Sequence, residues 1–157
     1  DEYLDFARGQ GGESAKSLDL EEFLEDIRVN AARKGGNVSL DMDGPLVMRA
    51  RPAALKRCIT NLVENAAGHA DHVRLSAIQH GHSVEIYVDD DGPGIPPEQM
   101  EDAFRPFHRL DESRNQNRSG SGLGLAIARD VARGHGGEIL LLESPLGGLR
   151  ALVQLPV

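Results

Sequence analysis

Residues 73–95 read Val73-Arg74-Leu75-Ser76-Ala77-Ile78-Gln79-His80-Gly81-His82-Ser83-Val84-Glu85-Ile86-Tyr87-Val88-Asp89-Asp90-Asp91-Gly92-Pro93-Gly94-Ile95. Val73, Leu75 and Ala77 alternate with other residues, as do Val84, Ile86 and Val88, and Gly81 sits between the two runs. A period of two puts one apolar face on each strand, so the stretch predicts a β-hairpin with one buried side. Behind the second strand, Asp89–Ile95 opens a loop rich in glycine and proline. A hairpin apolar on one face needs a second layer to cover it.

The flanking sequence supplies that layer. Leu20, Phe23, Leu24, Ile27 and Ala31 recur at helical spacing, Asp19 and Glu22 form a plausible capping box, and Gly35-Gly36 ends the helix. Pro52 suits the first turn of a second helix, lined by Leu55, Ile59, Leu62 and Ala66. A third helix is expected over about residues 123–133, before Gly134, Gly136 and Gly137. Short strands are expected over 37–42 and 46–50, flanking the turn Asp43-Gly44-Pro45, and over 139–142 and 149–155. Residues 10–17 read as a linker, and 1–9 as the end of a helix that began upstream. No internal repeat interrupts the pattern, which predicts an α+β, two-layer sandwich with helices on one face of a mixed sheet.

Composition narrows the function. The chain has 157 residues, 39% of them hydrophobic and 27% charged, which fits one folded domain. Its net charge of -8 disfavours a nucleic-acid partner, because a phosphate backbone would repel it. The single cysteine, Cys58, has no partner for a disulfide or a CxxC metal site, which fits a reducing, cytoplasmic setting. No run of 18 or so apolar residues predicts a membrane span, and no signal peptide opens the sequence. Its first residue is Asp1, so the chain is expected to be a piece of something larger.

Four short blocks carry the chemistry. In Asn61-Leu62-Val63-Glu64-Asn65-Ala66, the two asparagines are four apart and share one helix face, with Arg57 a turn earlier. Two amide oxygens there can hold a hard cation that keeps most of its waters, as Mg2+ does. In Asp89–Ile95, a carboxylate at a strand end can accept from an exocyclic amine, while glycines let a planar ring approach the backbone. The pair of phenylalanines in Phe104-Arg105-Pro106-Phe107 reads either as a loop anchor or as core packing. In Gly120-Ser121-Gly122-Leu123-Gly124-Leu125, glycines open a helix whose free amides suit a phosphate. This block follows a polar loop rather than a strand and contains no Gly-Lys-Ser/Thr, which disfavours Rossmann and Walker A sites.

In this order and spacing the blocks resemble the N, G1, F and G2 boxes of the catalytic, ATP-binding domain of bacterial sensor histidine kinases. That group shares a superfamily with gyrase, the Hsp90 chaperones and MutL. The likeness covers residues 18–157, and its closing Leu155-Pro156-Val157 resembles the terminus of osmosensor-type kinases. It implies a Bergerat ATP-binding fold, with a mostly antiparallel sheet of about five strands on three helices. Residues 1–9 would be the end of a dimerisation helix.

The resemblance also implies roles. Asn61 and Asn65 would hold Mg2+ against the ATP phosphates, with Asn65 and Arg109 as the catalytic pair. Asp91 would bind the adenine amine, Gly94 would shape the pocket and Phe107 would lie beside the nucleotide. Gly120, Gly122, Leu123 and Gly124 would cradle the phosphates, and His108–Ser121 would form a lid carrying Arg109 to the terminal phosphate. The family's usual Lys or Arg three residues after the second Asn is here Gly68, followed by His69 in place of a frequent Tyr. Arg109, Arg114 or Arg118 would have to compensate, or nucleotide binding would be weaker.

The gyrase and chaperone branch activates water with a Glu at the place of Asn61, and Glu64 lies about 100° round the helix from Asn65. Phosphoryl transfer to a side chain is therefore favoured over hydrolysis. None of the six histidines (69, 72, 80, 82, 108 and 135) lies in a His-Glu-Leu-Arg-Thr-Pro helix; each reads as a surface residue and none as a metal ligand. The acceptor His would belong to a dimerisation domain upstream, and would pass the phosphoryl group to a response-regulator aspartate. The fragment alone would be a monomer, its parent a homodimer anchored in the inner membrane. The alternatives are a serine kinase of the anti-sigma type and a nucleotide-binding regulatory module without catalysis.

Overall fold

The structure, a computed structural model, describes residues 13–105 and 124–157. In chain order the elements are β1 (Lys16–Asp19), α1 (Leu20–Arg33), β2 (Val38–Asp41), β3 (Val47–Ala50), α2 (Pro52–His69), β4 (Val73–His80) and β5 (Ser83–Asp90). Two 3-10 turns follow at Pro97–Gln99 and Asp102–Phe104, then α3 (Gly124–Gly134), β6 (Glu138–Glu143) and β7 (Leu149–Pro156). The main sheet runs β2-β4-β5-β7-β6, with β2 parallel to β4 and every other pair antiparallel. This is the expected α+β sandwich.

The hairpin forms as its alternation dictates. Leu75 pairs Val88, Ala77 pairs Ile86, and β7 continues the rows with Ala151 and Val153. Val84, Ile86, Val88, Val153 and Leu155 are buried in one cluster with Leu20, Leu24 and Ile27 of α1, Leu55, Ile59 and Leu62 of α2, and Ile127 and Val131 of α3. Burial of each such side chain is worth about 1.5–3 kcal/mol. The opposite face carries Arg74, Tyr87, Asp89, Arg150 and Leu152, together with Ile78, Leu140 and Leu142, which stay exposed.

Three helix ends show why the chain turns where it does. Asp19 caps α1 by accepting from the amides of Glu21 (3.0 Å) and Glu22 (3.3 Å); the reciprocal bond from Glu22 does not form. Gly35, at φ +94°, lets Gly36 N–H reach Ala31 O and Gly35 N–H reach Ala32 O, a Schellman stop. Gly136 does the same for α3, with Gly137 N–H on Ala132 O and Gly136 N–H on Arg133 O. Gly137 has a second duty, because a Cβ there would collide with the carbonyl oxygen of Gln154.

Two features lie outside the sequence reading, which named strands over 37–42 and 46–50 without assigning their partners. Residues 38–41 and 47–50 do not pair with each other: β2 joins β4, while β3 pairs antiparallel with β1 in a separate two-stranded sheet. β1 itself lies in the stretch read as linker and capping residue. Glu13 of that stretch also packs back, its carboxylate accepting from the amides of Ala53 (2.7 Å) and Ala54 (3.0 Å). It serves the first turn of α2, whose N-cap position holds Arg51 with no side-chain cap of its own. No helix among the described residues is long and apolar enough to cross a membrane.

Candidate functional site

Helix α2 presents its two asparagines as the spacing requires. Asn61 Nδ2 is buried with no hydrogen-bond partner, and Asn65 is half-exposed with no hydrogen bond to the described residues. A buried unpaired amide is costly, about 1–3 kcal/mol, unless something else satisfies it. The start of α3 lies alongside: a Cβ built on Gly124 would sit 3.9 Å from Asn61 Cβ. One turn earlier on α2 and one turn later on α3, Cys58 Sγ donates to Ala128 O at 3.5 Å, so the two helices run antiparallel and packed. Complete burial pushes the Cys58 thiol pKa up to about 12.

At the end of β5 the three consecutive aspartates have three different surroundings. Asp89, fully buried on the outer face, is held by Arg150 in a bidentate pair (2.7 and 3.1 Å), by Ser144 Oγ (3.1 Å), and by Arg74 at 3.9 Å. Asp90 continues the inward set Val84, Ile86, Val88 and is 4% exposed. Its Oδ1 accepts from the amides of Gly92 (2.9 Å) and Leu149 (3.0 Å), and its Oδ2 takes no hydrogen bond from the described residues. Asp91 is exposed, and its Oδ1 accepts from the amides of His72 and Asp71, both at 3.0 Å. Those backbone bonds, His72's foremost, hold the Asp91 pKa below its ordinary value.

The loop after them threads between backbones. A Cβ on Gly92 would lie 2.7 Å from His69 O at the end of α2, so only glycine fits. Gly94 adopts φ +73°, and a Cβ there would lie 3.5 Å from Gly148 O. Gly148, in the β6–β7 turn, abuts the other side: a Cβ there would run into Asp90 Oδ1 and lie 2.6 Å from Gly92 N. Phe104 is buried in the core, and the Arg129 guanidinium stacks on its ring at 4.3 Å while bonding Glu101 (2.9 Å) and Glu138 (3.2 Å).

Of the residues expected at the site, Asn61 and Asn65 lie on α2 with Gly124 beside Asn61, and Gly94 lies against Gly148 of the β6–β7 turn. Asp91 does not face the site as expected, because its carboxylate is engaged with the α2–β4 connection; Asp90 takes the inward place. Phe107, Arg109, Gly120, Gly122 and Leu123 lie outside the described residues, as do Arg114, Arg118 and the expected lid. Glu64 ion-pairs with Lys34 at 2.9 Å. His135 is not a free surface residue: Nε2 accepts from Arg51 N–H (3.0 Å), so Nδ1 carries the proton and donates to Val131 O (2.8 Å). Asp90 and Gly148 were missed by the sequence reading. Counting the alternation one step past Val88 would have found Asp90, whereas only the Gly147-Gly148 doublet hints at the close turn.

A two-layer sandwich with asparagines on one helix, a glycine start to the next and a carboxylate at a strand end defines a class of ATP-binding domain. Residues 50–157 match the family described as histidine kinase-, DNA gyrase B-, and HSP90-like ATPase, and the chain belongs to it. Among its relatives is the sensor histidine kinase GtrS of Pseudomonas aeruginosa, 40% identical over 92% of this chain and 29% of that protein. The crystal structure of the ATP-binding domain of PrrB from Mycobacterium tuberculosis aligns with a TM-score of 0.76 at 32% identity, covering 90% of this chain and 96% of that one. Full-length ShkA in complex with AMPPNP aligns with a TM-score of 0.78 at 25% identity, over 99% of this chain and 35% of that one. The chain spans less than a third of the length of curated relatives that it matches.

Proposed function

We propose that this chain binds Mg-ATP and transfers the γ-phosphoryl group to a histidine on the dimerisation domain of a two-component sensor kinase, for relay to a response-regulator aspartate. The observation that carries the reading is the approach of Gly124 to Asn61, which sets the glycine opening of α3 beside the asparagine pair. The resemblance of the blocks, the kinase relatives and the nucleotide analogue bound by ShkA all support it. The reading also places the chain in the cytoplasm, next to a membrane-anchored remainder of its parent.

The residues fit a magnesium ion. Asn61's orphaned amide and Asn65's unbonded one share a helix face, and rotating an amide exchanges its nitrogen for its oxygen. Asn61 and Asn65 would hold the ion, which when bound supplies positive charge against the phosphate oxygens. Asp90 would orient the base by accepting from the adenine amine at Oδ2, its Oδ1 being fixed by Gly92 and Leu149. Asn61 and His69 are two helical turns apart, about 12 Å along the axis, which gives an extended nucleotide room between them. Glu64 is the one carboxylate of α2 and is drawn to Lys34, so α2 offers no base for water. That favours a side-chain acceptor over hydrolysis.

The test is calorimetric titration with a non-hydrolysable ATP analogue, with and without Mg2+. Asn61→Ala and Asp90→Asn should each abolish or severely weaken Mg2+-dependent binding, while Asp91→Asn should bind like the parent chain. Loss in the Asp91 variant alone would return the adenine contact to Asp91. A separately supplied histidine-bearing dimerisation domain should then acquire acid-labile label from ATP; label on serine of an anti-sigma antagonist would favour that class, and none on either the regulatory reading.

A further inference from the structure

We infer that Asp89, on the outer face of the sheet, is a positioning residue for the nucleotide carboxylate Asp90 on the inner face. The inference rests on the reading of Asp90 given above. Asp89 is fully buried on the outer face, and its hydrogen bonds run to Ser144 and Arg150, on either side of the β6–β7 turn. Arg150, at the start of β7, grips both carboxylate oxygens, and the same guanidinium is stacked 4.3 Å over Tyr87. Ser144, at the end of β6, donates from Oγ to Asp89 Oδ1 and accepts at Oγ from Leu146 N–H at 3.0 Å. Ser144 N–H also bonds Gly148 O (2.9 Å), so one serine closes the turn and ties it to Asp89.

That turn is what holds Asp90. Leu149, beside Arg150, gives its amide to Asp90 Oδ1, and Gly148 N–H bonds Asp90 O at 3.1 Å. The backbone of Gly148 also forms the wall that Gly94 meets. Asp89 thus anchors the turn from behind, while from the front Leu149 N–H holds the Asp90 carboxylate and Gly148 N–H its backbone carbonyl. Bidentate guanidinium geometry makes such an anchor directional, which a hydrophobic contact at that place would not be.

A residue that only stabilised the fold would weaken all nucleotides alike. A residue that positions Asp90 should weaken the reading of the base amine. The experiment compares ADP with IDP, which carries a carbonyl in place of the exocyclic amine, by calorimetric titration of the full chain in Mg2+. The parent chain should prefer ADP by about tenfold, the value of one buried hydrogen bond. Ser144→Ala, which leaves both charges paired, and Asp89→Asn should both compress that preference towards unity, mainly by weakening ADP. Circular dichroism and thermal melts confirm that each variant is folded; should Asp89→Asn not fold, Ser144→Ala carries the test alone. Folded variants with the ADP-to-IDP ratio unchanged would overturn the inference. A parent chain with no preference would instead overturn the assignment of Asp90.

Discussion

Three aspartates in a row, chemically identical, are divided by strand geometry into a buried group paired with Arg150 on the outer face, a buried group facing inward and an exposed group bonded to the α2–β4 connection. Asp91 is the one whose carboxylate is held in its charged form by backbone amides. Its folded pKa lies below the ordinary 3.8 because backbone amides, that of His72 foremost, bond the charged form. A depressed folded pKa contributes stability that is fully present above the unfolded value and is lost as pH falls through the folded one. Asp91→Ala should therefore be less stable than the parent at neutral pH, with the gap closing as the solution is acidified below about pH 4. Urea melts across that range check it; a gap independent of pH would mean the carboxylate's charge is irrelevant to the loop. At this scale the sequence was only partly legible: the family spacing pointed into the Asp run, and the parity of β5 decided which member faced inward.

At the scale of elements, α2 depends on neighbours for its start. Its first free amides are taken by Glu13, and His135 accepts from Arg51 N–H at its N-cap. Glu13→Ala should destabilise the chain by about 1 kcal/mol, the usual worth of a helix cap, seen as a lower midpoint in urea with an unchanged slope. No change would show that water replaces the carboxylate. The three helices and the hairpin were legible because their apolar residues keep strict periods, with glycines at the ends of α1 and α3 and in the hairpin turn. β1 was not: Lys16-Ser17-Leu18-Asp19 is too short and polar to show a period, and it becomes a strand only because β3 lies against it. The pairing of β2 with β4 was equally hidden, since a parallel partner is chosen by tertiary packing and not by a local turn.

At the scale of the whole molecule, a single apolar cluster joins the three helices to one face of the sheet. Cys58 lies at the α2–α3 seam of that cluster and is wholly buried. With its pKa raised to about 12 by desolvation, it is kept from the thiolate form that reacts. A thiol reagent should label it only through opening of the α2–α3 contact, so labelling should accelerate steeply with denaturant and slow when nucleotide is bound. Immediate labelling in native buffer would contradict the packing. The two-layer architecture was readable from periodicity alone, and the blocks named Asn61 and Gly124, which the fold brings side by side. The outer-face network was not, because Arg74, Arg150 and Ser144 are far from Asp89 in sequence and belong to no motif.

Deleting any one of the three aspartate codons produces the same shortened chain, with Asp-Asp followed by Gly-Pro-Gly. Alternation counted from Val88 would still give the first Asp to Arg150 and the second to the pocket. The residue two places beyond the pocket Asp, however, would change from Gly92 to Pro93. Proline has no N–H to donate, so the carboxylate would lose the bond that Gly92 now makes at 2.9 Å. The third aspartate is thus also a spacer. The deletion should impair nucleotide binding although it removes no group that touches the base, and inserting an alanine after the second Asp should restore it.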